Sequence, residues 1–273
     1  MLSVFHDLFY QPAIFPLLTM ARVTERVRLG PAALNPTTLH PVEIAGQIAA
    51  LDLASRGRAY AGIVTGSWLD QLGIDESRPL TRLKEAVEVV WRLLAGDTSG
   101  FAGEQFTLAP GAELAYEPLR RQVPLLIGTW RPRAAAFAAT VAEDVKIGGS
   151  ANPDMVRLMR EWLGPDGPRI VVGAVTVVGE DGDAARGRAA EEVRMYLDVV
   201  GGLDPTLELA PGEPVPLEKF VLAGTPQDVA RQTIALINAG AYRVEFGTPQ
   251  GRTTEEGVAL LCDRVLPAVR KGG

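Results

Sequence analysis

The chain has 273 residues, of which 47% are hydrophobic and 22% charged, a balance typical of a globular protein with a sizeable core. Its net charge of −6 and sequence pI of about 5.1 argue against nucleic acid or an anionic membrane surface as a partner, because neither would meet a basic patch. Cys262 is the single cysteine, and His6 and His40 are the two histidines, so the composition excludes a disulfide framework and a cysteine–histidine metal site.

The amino-terminal segment MLSVFHDLFYQPAIFPLL does not have the pattern of a signal peptide. It lacks a basic region before its apolar residues, and Asp7, Pro12 and Pro16 interrupt it. No run of apolar residues in the sequence reaches the length that spans a bilayer. The sequence therefore predicts a cytoplasmic protein without a membrane partner.

Strand and helix patterns alternate along the chain. In order, they predict the tail of a strand at 3–9, a helix at 12–25, a strand at 27–34, a helix at 41–54, a strand at 58–64, a helix at 78–95, strands at 123–128, 144–148, 169–179 and 242–247, and helices at 132–142, 152–163, 183–200, 225–240 and 255–269. An irregular excursion at about 97–121, with a hairpin, and a loop at about 201–216 interrupt this order. We expect one parallel α/β domain over residues 1–273. The alternating strand–helix pattern, when complete, forms a closed (β/α)8 barrel.

The common sequence signatures of nucleotide and hydrolase sites are absent. The chain contains no GxGxxG, GxxxxGK[ST], GxSxG or HExxH motif. Dinucleotide-binding, P-loop, α/β-hydrolase and zinc-protease functions therefore lose their main support. The candidate site has to come from the loops at the carboxyl ends of the strands, where α/β proteins bind their ligands.

The first such loop follows the strand at 27–34. Gly30-Pro31 within this strand predicts a bulge, because proline cannot donate a hydrogen bond to a neighbouring strand. Asn35 then follows with an amide that can bind the polar edge of a ring system. The alternative is that Asn35-Pro36 only begins a turn.

The loop after the strand at 58–64 carries Thr65, Gly66 and Ser67. These small residues allow a ligand to approach the backbone closely, although a plain turn into the next helix explains them equally well. After the strand at 123–128, Gly128 and Thr129 are followed by Trp130 and Arg131. The backbone N–H groups at the start of the next helix, together with Thr129 and Arg131, are suited to a phosphate, and Trp130 to stacking on a planar ligand. A helix cap beside a solvated arginine is the alternative.

His6-Asp7 is the better histidine candidate for acid–base chemistry, because it follows the carboxyl end of a partial strand. An exposed histidine near the terminus is the alternative explanation. His40 precedes Pro41 at a predicted helix start, where capping or packing is the more common role. For Cys262, in the helical sequence LLCDRVL, we expect the role of a small buried hydrophobic residue.

Taken together, several segments resemble the luciferase-like family of flavin- and coenzyme F420-dependent oxidoreductases. The closest likeness is to the branch that contains the F420-dependent methylenetetrahydromethanopterin reductase. The similarity covers nearly the whole chain, and its strength is in the order and spacing of the motifs. The resembling segments are TERVRLGPAALNP (24–36), residues 40–74 with IVTGSW, PLLIGTWRP (124–132), AEDVKIGGSANP (142–153) and residues 221–251 with FGTPQG.

The resemblance implies a TIM (β/α)8 barrel, a homodimer, and a deazaflavin or flavin at the carboxyl ends of the strands. It places a non-prolyl cis peptide at Ala32–Ala33, in a bulge that supports the cofactor ring, and a ring contact at Asn35. It places the cofactor side chain and phosphate at two further loops, which comprise Thr65, Gly66 and Ser67, and Gly128, Thr129, Trp130 and Arg131. The implied reaction is hydride transfer between reduced coenzyme F420 and a small organic substrate, without a metal.

Two departures from the family pattern leave other functions open. The family begins with a strand, a helix and a second strand, and the sequence matches only the tail of that second strand. His6-Asp7 stands where relatives often carry an Asp-His pair, and Ala32 where glycine is usual. With FMN instead of F420, monooxygenation is the alternative reaction. A catalytically inactive cofactor-binding or dimerisation protein is the alternative from another functional class.

Overall fold

The computed structural model describes residues 1–6, 8, 10–74, 77–210 and 212–272. These residues form two compact units. The first comprises Met1–Thr129 and Thr140–Glu143, and the second comprises Trp130–Ala139 and Asp144–Gly273. The expectation that residues 1–273 form a single domain stays a prediction.

The first unit alternates strands with helices in the predicted order. Its elements are β1 (Leu2–Val4), α1 (Ile14–Val23), β2 (Leu29–Pro31), α2 (Pro41–Ala54), β3 (Ala61–Val64), α3 (Pro79–Ala95), β4 (Phe101–Ala102), β5 (Thr107–Leu108) and β6 (Leu125–Gly128). Strands β1 and β2 pair in parallel, as do β3 and β6, and two isolated bridges join the β2 segment to β3. Strands β4 and β5 form a separate antiparallel hairpin, which confirms the hairpin predicted within 97–121.

The second unit is arranged around its longest strand. Its elements are most of α4 (Pro132–Val141), β7 (Asp144–Gly148), α5 (Pro153–Leu163), β8 (Arg169–Val178), α6 (Gly182–Val193), α7 (Leu197–Leu203), β9 (Val221–Gly224), α8 (Pro226–Asn238), β10 (Arg243–Gln250), α9 (Thr254–Leu260), a π-helical turn (Leu261–Val265) and α10 (Leu266–Gly272). Strand β8 pairs in parallel with β7, β9 and β10. No helix within the described ranges is long and apolar enough to cross a membrane.

The main differences from the sequence predictions are a shortened strand, a missed strand and a helix in a predicted loop; in addition, Cys262, which was expected to be buried, is exposed. Strand β2 spans three residues instead of 27–34, because the chain bulges after Pro31. Strand β9 was not predicted, since four apolar residues before a helix cap give too short a signal. Helix α7 occupies the start of the predicted loop at 201–216. Its glycines suggested a loop, but Gly201 is needed for packing, because a Cβ there would lie 2.7 Å from Val215 Cγ2.

An ion pair with a buried carboxylate connects the end of the irregular 97–121 segment to helix α2. Asp52, on α2, is 1% exposed and receives hydrogen bonds from Arg120 Nε at 2.9 Å and from the Ala59 backbone N–H at 3.2 Å. Arg120 Nη2 also donates to the Ala59 carbonyl oxygen at 2.8 Å. The guanidinium therefore joins α2 to the residues that lead into β3.

Replacing Arg120 by alanine leaves the Asp52 carboxylate buried without its cation. We expect Arg120→Ala to lower the free energy of unfolding by about 3 kcal/mol, measured by urea denaturation. Arg121→Ala, at the exposed neighbouring position, is the matched control and should change stability by less than about 0.5 kcal/mol. Equal stabilities of the two variants would contradict this role of the ion pair.

Candidate active site

The chain bulges between β2 and β3, at the position that the sequence predicts. Leu29 bridges to Ala59 and Leu34 bridges to Ile63, so five residue steps on one strand face four on the other. The extra residue is the mark of a β-bulge. Within it, the Ala32–Ala33 peptide bond is cis, which confirms the prediction made for this bond.

A glycine on β3 makes room for the bulge. An ideal Cβ at Gly62 would lie 2.0 Å from the carbonyl oxygen of Pro31, far closer than carbon and oxygen can pack. The backbone N–H of Leu34 donates to the Gly62 carbonyl oxygen at 2.8 Å and fixes the return of the chain. Gly62 is not among the residues predicted from the sequence, although a glycine inside a buried strand is a recognised sign of close backbone approach.

Asn35 follows the bulge with its side chain buried, at 4% exposure. Its Oδ1 accepts a hydrogen bond from the backbone N–H of Thr37 at 2.8 Å, which fixes the orientation of the amide. Its Nδ2 is buried and has no hydrogen-bond partner among the described residues. A buried amide donor without a partner costs about 1–3 kcal/mol. This donor is therefore suited to an acceptor atom of a bound ligand.

Gly66, in the loop after β3, lies directly against this amide. Its φ of +102° belongs to the region that glycine adopts readily, and an ideal Cβ there would lie 2.0 Å from Asn35 Nδ2. Thr65 and Ser67 beside it are half-buried. The structure thus brings Asn35 and Gly66 together, as the sequence predicted for two loops at the same edge of the strands.

The four residues predicted to bind the cofactor in the loop after β6 differ in their exposure. Gly128 is half-buried at the end of β6, and Thr129 is 8% exposed. In the second unit, Trp130 is also 8% exposed, and its indole N–H donates to the Gly148 carbonyl oxygen at 3.2 Å. Arg131 is exposed and lies at the start of α4, as predicted. Trp130 is therefore held by the end of β7, and stacking on a ligand stays a prediction for it.

His6 is half-buried near the end of β1. Its Nδ1 accepts a hydrogen bond from the backbone N–H of Ala13 at 3.1 Å, so the proton of the neutral ring is on Nε2. Desolvation lowers the pKa of His6 below its ordinary value of 6.5. Its predicted partner, Asp7, lies outside the described residues, and the acid–base role of the pair stays a prediction. The described residues contain no group of three or more histidine, cysteine, aspartate or glutamate side chains placed to hold a metal ion.

Comparison with known proteins supports the family suggested by the sequence. The chain matches the family described as luciferase-like monooxygenase over residues 5–243. A 5,10-methylenetetrahydromethanopterin reductase from Archaeoglobus fulgidus is 26% identical over 297 aligned residues, which cover 94% of this chain and 88% of the relative. The predicted family and branch are thereby confirmed.

Solved structures show the same fold. The coenzyme F420-dependent tetrahydromethanopterin reductase from Methanopyrus kandleri has a TM-score of 0.83 at 22% identity, covering 97% of this chain and 90% of that one. The oxygenating component of 3,6-diketocamphane monooxygenase from Pseudomonas putida, in complex with FMN, has a TM-score of 0.74 at 14% identity, with 98% and 88% covered. The predicted α/β fold of luciferase-like TIM-barrel proteins is confirmed.

The lowered pKa of His6 predicts a loss of stability in acid. The folded chain resists protonation of this ring, whereas the unfolded chain takes up the proton near pH 6.5. The stability that neutral His6 contributes is therefore present above pH 6.5 and is lost as the pH falls through the lower pKa of the folded state.

The measurement is the thermal midpoint of wild type and His6→Asn between about pH 5 and 8. The asparagine keeps an acceptor for the Ala13 N–H but does not titrate, so its midpoint should fall less on acidification. His40→Asn is the matched control, because His40 makes the same kind of bond to Val42 at an exposed helix start. Identical pH profiles for wild type and His6→Asn would rule out this contribution.

Proposed function

We propose that this chain, which belongs to the luciferase-like monooxygenase family, is an oxidoreductase that transfers a hydride between coenzyme F420 and a small organic substrate. The observation that carries the proposal is the buried, unpaired amide donor of Asn35 beside the Ala32–Ala33 bulge. Support for F420 comes from the Methanopyrus kandleri enzyme, whose description names this cofactor and whose fold this chain shares.

The residues of the first unit suit a deazaflavin ring. Ala32 and Ala33 are small and apolar, at 9% and 7% exposure, and a ring can pack against them. Asn35 Nδ2 provides a donor for a carbonyl oxygen or a ring nitrogen, and Gly66 leaves room for the amide because it has no side chain. When bound in reduced form, F420 supplies the hydride.

Other residues hold the ends of the cofactor and handle the proton in this proposal. The hydroxyl of Thr129 and the guanidinium of Arg131 bind a phosphate, with Gly128 and Trp130 as neighbours in the loop. Thr65 and Ser67 present backbone and hydroxyl groups beside Gly66. In this proposal the Nε2–H of His6 donates a hydrogen bond to the substrate, and Asp7 is its proposed partner in acid–base chemistry.

FMN-dependent monooxygenation is the second candidate function. The observation in its favour is the shared fold with the Pseudomonas putida component, whose structure contains FMN. Asn35 Nδ2 serves an FMN ring equally well, because both rings have acceptor atoms along the same edge. A catalytically inactive cofactor-binding or dimerisation protein is the candidate from another class.

The test is a fluorescence titration of the purified chain with F420 and, separately, with FMN. The proposal predicts saturable binding of F420. Binding of FMN alone would refute hydride transfer from F420 and favour monooxygenation. Failure to bind either cofactor, with a folded protein by circular dichroism, would contradict both functions.

Asn35→Ser identifies the residue responsible. Serine retains an oxygen that can accept the Thr37 N–H, but it lacks the amide donor. We expect F420 affinity to fall about tenfold, the equivalent of one lost hydrogen bond of about 1.4 kcal/mol. Asn238→Ser, at the exposed end of α8, is the matched control and should bind as wild type does.

A further inference from the structure

Trp68 lies two residues after Gly66, in the loop that follows β3 in the first unit. Gly66 is the residue that leaves room for the Asn35 amide. Because consecutive Cα atoms are about 3.8 Å apart, the Cα atoms of Gly66 and Trp68 are at most about 7.6 Å apart. Trp68 is therefore close to the proposed ring site.

The backbone of Trp68 adopts a conformation that a large side chain rarely takes. Its φ is +54° and its ψ is +25°, in the left-handed region, where the Cβ of any residue except glycine crowds the neighbouring carbonyl oxygen. A bulky residue in this region is an outlier, and strained residues of this kind cluster at ligand sites. Glycine would form the same turn without the strain. The turn alone therefore does not account for a tryptophan at this position.

The residues after Trp68 hold its backbone in place. The backbone N–H of Gln71 donates to the Trp68 carbonyl oxygen at 3.1 Å, and that of Ile74 donates to the Leu69 carbonyl oxygen at 3.1 Å. Leu69 is 7% exposed and anchors the short 3-10 helix Leu69–Leu72. The indole is therefore carried by a backbone that is fixed before any ligand binds, which lowers the entropy cost of binding.

The indole of Trp68 is available to a ligand. Its side chain is half-buried, and no described residue forms a ring contact with it or accepts a hydrogen bond from its N–H. Since the buried donors without a partner do not include this N–H, it is open to solvent. Trp130, the other tryptophan in a loop after a strand, is 8% exposed and its N–H donates to the Gly148 carbonyl oxygen. Of these two loop residues, Trp68 is the one with an unengaged indole.

We propose that Trp68 is a ligand-binding residue whose indole packs against a planar, unsaturated ring. Contacts between aromatic rings favour a flat, conjugated ring over a saturated ring of the same size, because only the flat ring matches the indole in shape and charge distribution. The inference rests on the proposed function and narrows the chemistry of its ligand. The ring belongs either to the organic substrate or to the cofactor.

Two substitutions separate the aromatic contact from the bulk of the side chain. Trp68→Leu keeps a large apolar side chain but has no ring, whereas Trp68→Phe keeps a ring. Neither residue has the backbone freedom of glycine, so both variants retain the strained turn. Trp91→Leu is the matched control, because Trp91 is also half-buried in the first unit but lies within helix α3.

The experiment measures binding of two bicyclic ketones, α-tetralone and its fully saturated analogue decalone, to the full chain by titration calorimetry without F420. If the ring belongs to the substrate, wild type and Trp91→Leu should bind α-tetralone about fivefold more tightly than decalone. Trp68→Leu should lose this preference, and Trp68→Phe should keep most of it. A purely structural role of Trp68 would instead weaken binding of both ketones equally.

A titration of the same variants with F420 identifies the source of the ring. If the ring belongs to the cofactor, Trp68→Leu should lower F420 affinity about fivefold and Trp68→Phe should restore most of it. Trp68→Leu that matches wild type in both titrations, or a loss that Trp68→Phe does not recover, would overturn the proposal. Because the ketone titration contains no cofactor, a chain that fails to bind F420 still tests Trp68, and the two failures are distinguishable.

Discussion

The candidate ring site depends on one close approach of two backbones, in which the carbonyl oxygen of Pro31 lies where any side chain on Gly62 would be. This approach lets the chain bulge through Ala32 and Ala33 and return to β3 at Leu34. The bulge in turn delivers Asn35 to the end of the strand, where Gly66 makes the same kind of room for its amide. The amide that we propose as a ligand-binding group is thus positioned by two glycines, Gly62 and Gly66, which have no side chains.

In the second unit, glycines leave room for a charged side chain in the same way. Gly173 lets the stem of Lys146 cross β8 and reach Glu245 on β10, so that an ion pair forms between strands that are not neighbours. Side chains that would normally fill the face of a sheet are missing at Gly148 and Gly173, and the two charges are held in register by the strands. In both units, glycines leave the space that a neighbouring polar side chain occupies.

Much of this arrangement could be predicted from the sequence, because it follows from local patterns. Strand–helix alternation gave the order of elements, and Gly30-Pro31 indicated the bulge. The Lys146–Glu245 pair could not be found in this way, because its members are 99 residues apart and no local pattern links them. Gly62 in β3 indicates that another backbone segment lies close to the strand, but the sequence does not identify Pro31 as that segment. Trp130 suggested a ligand contact, yet its indole N–H is bound by Gly148.

In the proposed site, Gly66 contributes to cofactor binding by leaving the Asn35 amide free to face the ring. A double-mutant cycle on F420 affinity, with Gly66→Ala, Asn35→Ser and the combined variant, measures this contribution. We expect each single variant to weaken binding and the double variant to be little worse than either, which corresponds to a coupling of about 1 kcal/mol or more. Wild-type affinity in Gly66→Ala, or losses that simply add, would show that Gly66 and the Asn35 amide do not act together.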